Sequence, residues 1–160
     1  MRKSTLLSLI VILALGATVI IQASGEADKL AGVMKKADID SLIGKLRSGE
    51  LQGAQSLFEG EDGPYRVYTS YIENRKGAAD IHALDSEIFL IMSGSAEFTL
   101  GGEVTDKEAK SENEYRGTTI SGGTTYSVAA GDIISIPKGT AHQMNPGEGH
   151  ILYIVIKIKG

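Results

Sequence analysis

The spacing of apolar residues divides the chain into three parts. Residues 6–21 form an apolar run that is interrupted only by Ser8, Gly16 and Thr18. A helical spacing follows, and from about residue 51 onward apolar and polar residues alternate over short runs with frequent glycine. A period near 3.6 residues predicts an amphipathic helix, whereas a period of two predicts half-buried strands. We therefore expect a mostly β domain over residues 51–160 behind a helical lead-in over residues 26–50.

The helical spacing i, i+3, i+4, i+7 occurs twice in the lead-in. Its two sets are Leu30, Val33, Met34 and Ala37, and then Ile39, Leu42, Ile43 and Leu46. Asp38 or Asp40 is suited to cap the second segment, and Gly49 is suited to end it. We expect the helix to pack on the side of the domain. The alternative is a helix that lies on a membrane or binds a partner.

Six later runs have the alternation of strands, and glycine-containing turns separate them. They cover residues 65–73, 87–92, 95–100, 124–128, 132–136 and 150–157. Many short strands without a second helical pattern predict an antiparallel sandwich or barrel. Ala96, Phe98 and Leu100 point to one face of their strand, and we expect that face to be buried. The same alternation predicts a buried face made by Ile154, Ile156 and Ile158.

Residues 103–117 break the alternating pattern. This segment has eight charged residues and little apolar content. A polar connection of this length inside a compact domain is usually functional or disordered. We expect a surface loop, and the alternative is a lid over the mouth of the barrel with Tyr115 and Arg116 touching a ligand.

Composition and charge exclude several classes of function. The formal net charge is −4, from 16 Lys and Arg against 20 Asp and Glu, and no basic cluster is present. Nucleic-acid affinity depends on neutralising phosphates, so a nucleic-acid partner is not expected. Cysteine is absent from the chain, which excludes disulfides and thiol chemistry. Packing of a single core must therefore stabilise the domain, and 160 residues are enough for one.

The N-terminus has the pattern of an export signal. Arg2 and Lys3 precede the apolar run, and the small residues Ala23, Ser24 and Gly25 follow it. This order is typical of a signal peptide over residues 1–25 and predicts a bacterial periplasmic or secreted protein. The alternative is an uncleaved membrane anchor over residues 6–21, since a spanning helix needs about 20 residues, with a range of roughly 17 to 25.

Two short stretches combine turns with side chains that bind metals. Asp80 and His82 are two residues apart on a predicted strand, so their side chains leave the same face. Glu87 follows at the start of the next predicted strand. Residues 131–142 read GDIISIPKGTAH, in which a short strand ends in a bend that precedes His142.

These two stretches resemble the two motifs of the cupin superfamily. The second motif has Gly, five residues, Pro, one residue, Gly, two residues and His, and it is matched by Gly131, Pro137, Gly139 and His142. In the first motif, His82, Glu87 and Gly94 match, whereas Asp80 stands in place of the first histidine and Asn74 in place of the opening glycine. Over residues 51–159 the chain is thus similar to small single-domain cupins of the conserved-barrel (cupin 2) type.

The resemblance implies a fold and a ligand set. The fold is an all-β, antiparallel double-stranded β-helix, that is a cupin or jelly-roll barrel, preceded here by the short amphipathic helix. In cupins the Pro-x-Gly bend directs the following histidine into the barrel, where it meets the first motif around one divalent metal. The candidate ligands are Asp80, His82, Glu87 and His142. Imidazole with carboxylate suits iron, manganese, nickel, zinc or copper, and the sequence does not choose among them.

Other side chains are candidates for binding a small molecule beside the metal. These are Arg66, Tyr68, Phe89, Tyr126, Met144 and Arg116. Small-ligand sites have mostly apolar walls, which the aromatic residues and the methionine would supply. Arg66 is suited to a bidentate contact with a carboxylate or phosphate.

The resemblance leaves three functions open, because a superfamily does not fix a reaction. The first is a metal-dependent enzyme of dioxygenase, isomerase, decarboxylase or lyase type that acts on a small oxygen-rich molecule. The second is a barrel that binds a sugar or other small molecule without metal, which the replacement of histidine by Asp80 favours. The third is a structural homodimer, since cupin barrels commonly pair through their sheets.

Overall fold

The computed structural model describes residues 32–58 and 63–160. One helix, α1 (Lys36–Arg47), precedes the strands. The strands are β1 (Gln55–Ser56), β2 (Tyr65–Glu73), β3 (Ala79–His82), β4 (Asp85–Leu100), β5 (Glu103–Thr105), β6 (Glu108–Ser111), β7 (Glu114–Gly117), β8 (Thr119–Ser121), β9 (Thr124–Ala129), β10 (Ile133–Ile136), β11 (His142–Asn145) and β12 (His150–Lys159). The predicted export signal lies outside the described residues.

Helix α1 begins at Lys36, so residues 32–35 are not helical, although the apolar spacing predicts a helix there. Lys35 occupies the N-cap position without a side-chain cap, so the prediction of an aspartate cap is wrong, and Asp38 lies in the first turn instead. An acidic residue there interacts favourably with the helix dipole. The helix ends before Gly49, whose φ of +76° is the left-handed conformation that glycine adopts readily. The predicted C-terminal end is therefore confirmed.

The helix packs against the sheet through its last turn. Leu46 is buried, and the Arg47 guanidinium lies 5.9 Å from the centre of the Tyr71 ring and donates a hydrogen bond to Ser93 Oγ at 3.2 Å. Val33 precedes the helix and is exposed. Among the residues described, no helix combines the length and apolar character needed to cross a membrane.

Strand β4 joins the two halves of the fold. Its first half pairs with β10 and β12, and its second half pairs with β9 and β11. The sheet continues from β12 to β2 and β1 on one side, and from β11 to β3, β7 and β6 on the other, while β5 and β8 form a separate two-stranded sheet. All these pairs are antiparallel. The sheet consequently curls around a common interior as a half-barrel.

Gly94 lies where β4 passes from one half to the other. It has a φ of +80°, and a Cβ atom at this position would lie 1.9 Å from the carbonyl oxygen of His150. A backbone atom cannot move aside as a flexible side chain does. The close approach of β12 to β4 therefore requires glycine here, as the first cupin motif has it.

The interior of the curl holds the hydrophobic core. Phe89, Phe98, Ile136 and Ile151 are buried there, and Ala96 is buried on the face that the alternation predicted. The core thus lies directly behind the strands that carry the two motifs.

The prediction that Ile154, Ile156 and Ile158 form the buried face of β12 is wrong. Tyr153, Val155 and Lys157 face the interior cavity, whereas Ile158 is 40% exposed and Ile154 and Ile156 are half-buried on the other face. An apolar residue at every second position does not decide which face is inside, because the intervening residues of β12 are also mostly apolar.

The segment over residues 103–117 is not a loop. It forms β5, the hairpin of β6 and β7, and through β7 it joins the main sheet beside β3. The prediction of a surface loop is therefore wrong. The alternative of a lid is wrong as well, since β7 is a hydrogen-bonded strand of the main sheet. Arg116 lines the cavity, whereas Tyr115 is not among its lining residues.

The fold class predicted from the sequence is confirmed. The described residues form an antiparallel, mostly β half-barrel that is preceded by one short helix.

Candidate metal centre

Three side chains with metal-binding atoms converge in the interior of the half-barrel. His82 Nε2 lies 3.3 Å from Glu87 Oε1, and His142 Nε2 lies 3.2 Å from Glu87 Oε2. One ligand atom from each of the three residues lies within 4.8 Å of the other two. Glu87 and His142 are 5% and 6% exposed, and His82 is partly buried, so little of the group is exposed to solvent.

The strand pairing and the curl together explain why these residues meet. His82 ends β3, and His142 begins β11, which pairs with β3 and with the second half of β4. Glu87 lies in the first half of β4, where it is opposite Ile136 and Lys157, so it reaches the two histidines across the interior of the curled sheet. The curl of the sheet thus places two imidazoles around one carboxylate.

The bend after β10 fixes the position of His142. Pro137 ends the strand, Gly139 has a φ of +76°, and the Thr140 amide donates to the Pro137 carbonyl oxygen at 3.2 Å. The Gly139 amide also donates to the carbonyl oxygen of His82 at 2.7 Å. The bend is therefore attached to the backbone of the other histidine, so the two imidazoles are positioned together.

Hydrogen bonds at Nδ1 leave both Nε2 atoms facing Glu87. His142 Nδ1 lies 3.1 Å from the Thr140 carbonyl oxygen, which can only accept, so Nδ1 carries the hydrogen. His82 Nδ1 contacts the carboxylate of Glu114, which favours the same tautomer. Each imidazole then presents the Nε2 lone pair that a metal requires.

The histidines are held neutral in this environment. Burial lowers the pKa of His142 to about 4, with the Thr140 hydrogen bond opposing. Burial, with the charge of Lys157, also lowers the pKa of His82. Neutral imidazole is the form that coordinates metals, so the pair is ready to bind at neutral pH.

Glu87 is the unsatisfied member of the group. Its Oε2 atom is fully buried and has no hydrogen-bond partner. Burial raises its pKa to about 7, although the charge of Lys157 opposes this. A buried carboxylate oxygen without a donor is costly, and a cation placed between it and the two Nε2 atoms would remove that cost. The donor set, two imidazoles and one carboxylate, is one that divalent transition metals accept, so these residues fit a metal.

Asp80 does not join the group. It lies opposite Arg116 in the pairing of β3 with β7, and Arg116 donates from Nε to Oδ1 at 2.6 Å and from Nη2 to Oδ2 at 3.3 Å. This contact through two nitrogens pairs the carboxylate with Arg116 rather than with the three metal-binding side chains. Asp80 therefore replaces the first histidine of the motif without occupying its place among the ligands.

Glu114 and Lys157 were missed by the sequence analysis. Glu114 lies opposite His82 in the same strand pair, and Lys157 Nζ contacts Glu114 Oε1 at 2.7 Å and His82 Nδ1 at 2.8 Å. Burial alone would raise the pKa of Glu114, but Lys157 and His82 hold it below its usual value. The Glu114 carboxylate can accept hydrogen bonds from both His82 Nδ1 and Lys157 Nζ. We therefore infer that His82 carries a hydrogen on Nδ1 and donates it to Glu114.

One signal in the sequence could have identified Glu114. In an antiparallel pair, the Asp80–His82 stretch and the Glu114–Arg116 stretch place aspartate opposite arginine and histidine opposite glutamate. Opposite charges on directly paired residues favour such a register.

A cavity of about 480 Å³ opens beside the triad. It is lined by five of the six residues proposed to bind a small molecule, namely Arg66, Tyr68, Phe89, Met144 and Arg116. Tyr126 does not line it. β9 pairs with β4 on the side away from β11, and Tyr126 is 51% exposed there. The prediction that Tyr126 lines the ligand site therefore does not hold for this cavity.

Comparisons with known proteins bear on the fold. No protein-family model and no curated protein matches the chain. Among solved structures, BH2720 from Bacillus halodurans is 15% identical, with 81% of this chain and 83% of that chain covered and a TM-score of 0.56. At this identity, the likeness shows the fold alone.

Two solved cupin domains align over a smaller part of the chain. The cupin domain of Schizosaccharomyces pombe Cnp3 is 14% identical, with 67% of this chain and 60% of that chain covered and a TM-score of 0.49. A cupin-2 domain from Rhodospirillum rubrum is also 14% identical, with 66% of this chain and 57% of that chain covered and a TM-score of 0.48. The chain thus spans less than two thirds of the length of each.

Proposed function

We propose that this chain is an exported cupin that holds one divalent transition metal through His82, Glu87 and His142, and that it binds or transforms a small oxygen-rich molecule in the adjacent cavity. One observation carries the proposal. Glu87 Oε2 is buried without a hydrogen-bond donor, and it lies 3.2 Å from the Nε2 atom of His142. A metal satisfies this oxygen and both imidazoles together.

The surroundings of the triad suit such a role. The rings of Phe89 and Phe98 lie 6.1 and 6.3 Å from that of His142, so aromatic walls limit the access of water to the ligands. Glu114 holds the His82 ring by its Nδ1 atom. His82, Glu87 and His142 would hold a metal through three side chains, and a metal held there would supply Lewis acidity or activate dioxygen.

Elemental analysis of the full-length chain, expressed without added histidines and purified without chelator, tests the proposal. We expect about one equivalent of a transition metal in the wild type. His82→Ala and His142→Ala should retain none and remain folded, because each removes a ligand and leaves the apolar strands intact. His150→Ala is the matched control, since His150 packs against Tyr71 at 5.6 Å between ring centres, outside the triad. Equal metal content in all four proteins would contradict the proposed site.

A metal-free binding barrel is the second candidate, and Lys157 favours it. Its ammonium lies 2.7 Å from Glu114 and 3.5 Å from Asp85, so the protein itself supplies positive charge beside the triad. Under this alternative, the folded wild type contains no metal, and ligand binding is unchanged by a chelator.

The export signal is part of the proposal. Its basic start, apolar run and small residues support it, and the run over residues 6–21 lies outside the described residues. Mass spectrometry of the protein recovered from a bacterial host distinguishes a chain shortened near residue 25 from the uncleaved anchor.

A further inference from the structure

Arginine is concentrated at the cavity. Three of the four arginines in the described part of the chain, Arg66, Arg75 and Arg116, line it, and Arg47 lies on α1. With Lys157, the lining contains four cationic side chains against the three carboxylates of Asp80, Glu87 and Glu114. The whole chain has a formal net charge of −4. Asp85, which is outside the lining, pairs with Arg66 and balances the fourth cation. The cavity is therefore close to neutral in an acidic protein, and a bound divalent metal would make it positive.

Three of these cations are already engaged by carboxylates of the chain. Arg66 contacts Asp85, Arg116 holds Asp80 through two nitrogens, and Lys157 contacts Glu114. Arg75 differs from them, because within the described residues it has no hydrogen bond or ion pair through its side chain. Among the cationic residues that line the described cavity, Arg75 is therefore the one available to pair with an anionic ligand.

The backbone that carries Arg75 is held in place. Asn74, with a φ of +50°, donates to the Gly149 carbonyl oxygen at 3.0 Å, and Gly77 donates to the Met144 carbonyl oxygen at 2.8 Å. Both bonds tie the turn after β2 to neighbouring parts of the fold. Less conformational entropy is then lost when the guanidinium binds an anion.

We propose that the cavity recognises a small dicarboxylate, with one carboxylate at the metal and the other paired with the guanidinium of Arg75. This inference rests on the proposed metal site. The planar guanidinium matches a carboxylate with two parallel hydrogen bonds. Two separate positive centres, the metal and Arg75, select a molecule with two negative groups, and the volume of about 480 Å³ limits it to a small one.

Calorimetric titration of the metal-loaded, full-length chain tests this assignment. The probes are the straight-chain dicarboxylates from malonate to adipate and their uncharged diamides. We expect at least one dicarboxylate to bind the wild type and its diamide not to bind. Arg75→Gln should weaken that dicarboxylate at least tenfold, which corresponds to about 1.4 kcal/mol. Arg47→Gln, the matched control outside the cavity, should bind as the wild type does.

The outcomes separate this inference from the metal site. A protein with metal that binds no dicarboxylate, or binds one equally well after Arg75→Gln, overturns the inference and leaves the metal site standing. A protein without metal in elemental analysis overturns the proposed function, and the assignment of the dicarboxylate to the metal with it. Unfolding midpoints of both arginine variants in urea, equal to that of the wild type, confirm that a loss of binding is not a loss of fold.

Discussion

Glu87 is where burial and charge conflict most directly. Its side chain is almost fully buried, one oxygen has no donor, and its pKa is raised to about 7 because burial disfavours the charged form. The neighbouring imidazoles are also neutral. Below about pH 7 the carboxyl group without metal keeps its proton, and a metal must displace that proton to bind.

Metal affinity should therefore depend on pH through Glu87. We expect the affinity for Co²⁺ to rise about tenfold per unit from about pH 5.5 to 7 and then to level off, since one proton is released below the pKa and none above it. Burial lowers the pKa of His142 to about 4, which is outside this range, and burial with the charge of Lys157 lowers the pKa of His82 from its usual value. Competition with a coloured chelator measures the affinity.

Glu87→Gln is the control for that measurement. It keeps the size of the side chain and removes the titrating carboxyl group, so its weaker affinity should be independent of pH over the same range. A flat profile in the wild type would mean that no proton is released when the metal binds. The same slope in the variant would assign the proton to another group.

The path of strand β4 depends on Gly94. At Gly94 it passes between the two halves of the sheet, in contact with the backbone of β12. Gly101 has a similar φ of +75°, but no atom lies within 4 Å of the Cβ position. An alanine at Gly101 would therefore have only the cost of the left-handed backbone, whereas an alanine at Gly94 would also overlap with a neighbouring backbone atom.

We expect Gly101→Ala to lower the free energy of unfolding by about 1 to 2 kcal/mol, the cost of a left-handed alanine. Gly94→Ala should lower it by about 2 to 5 kcal/mol, because overlap with the His150 carbonyl oxygen adds to that cost. Urea denaturation followed by circular dichroism measures both. Equal losses would mean that β12 moves away without cost.

Strand β7 matters because it holds the His82 ring through Glu114. Glu114→Gln should reduce metal affinity about 10- to 100-fold, since the amide is a weaker acceptor for Nδ1–H and for Lys157. Glu112→Gln, in the exposed turn of the same hairpin, should leave the affinity unchanged. If both variants bind metal as the wild type does, Glu114 has no part in orienting His82.

At the scale of the molecule, metal binding and folding should be linked. The triad joins β3, β4 and β11, so a ligand bound only by the folded state stabilises all three strands. At a free metal concentration one hundred times Kd, we expect the free energy of unfolding to rise by about 2.7 kcal/mol. A chelator should reverse this gain, and His142→Ala should not show it. A wild-type unfolding curve that does not change with metal would contradict the linkage.

The sequence alone determined the features that depend on neighbouring residues. Period-two alternation located β2, β9, β10 and β12 closely, because side chains alternate along any strand. The resemblance to the two cupin motifs implied the ligands His82, Glu87 and His142, which meet in the structure, together with Asp80, which does not join them. Asn74, at the position where the first motif has glycine, has a φ of +50°, which asparagine tolerates.

Only the tertiary structure decided which faces and partners meet. The pairing of β3 with β7 joins residues more than thirty positions apart, turns Asp80 towards Arg116 and brings Glu114 to His82. The inner face of β12, with Lys157 on it, likewise follows from its position between β2 and β4. Alternation is a property of one strand, whereas register and inside-outside choice depend on the strands beside it.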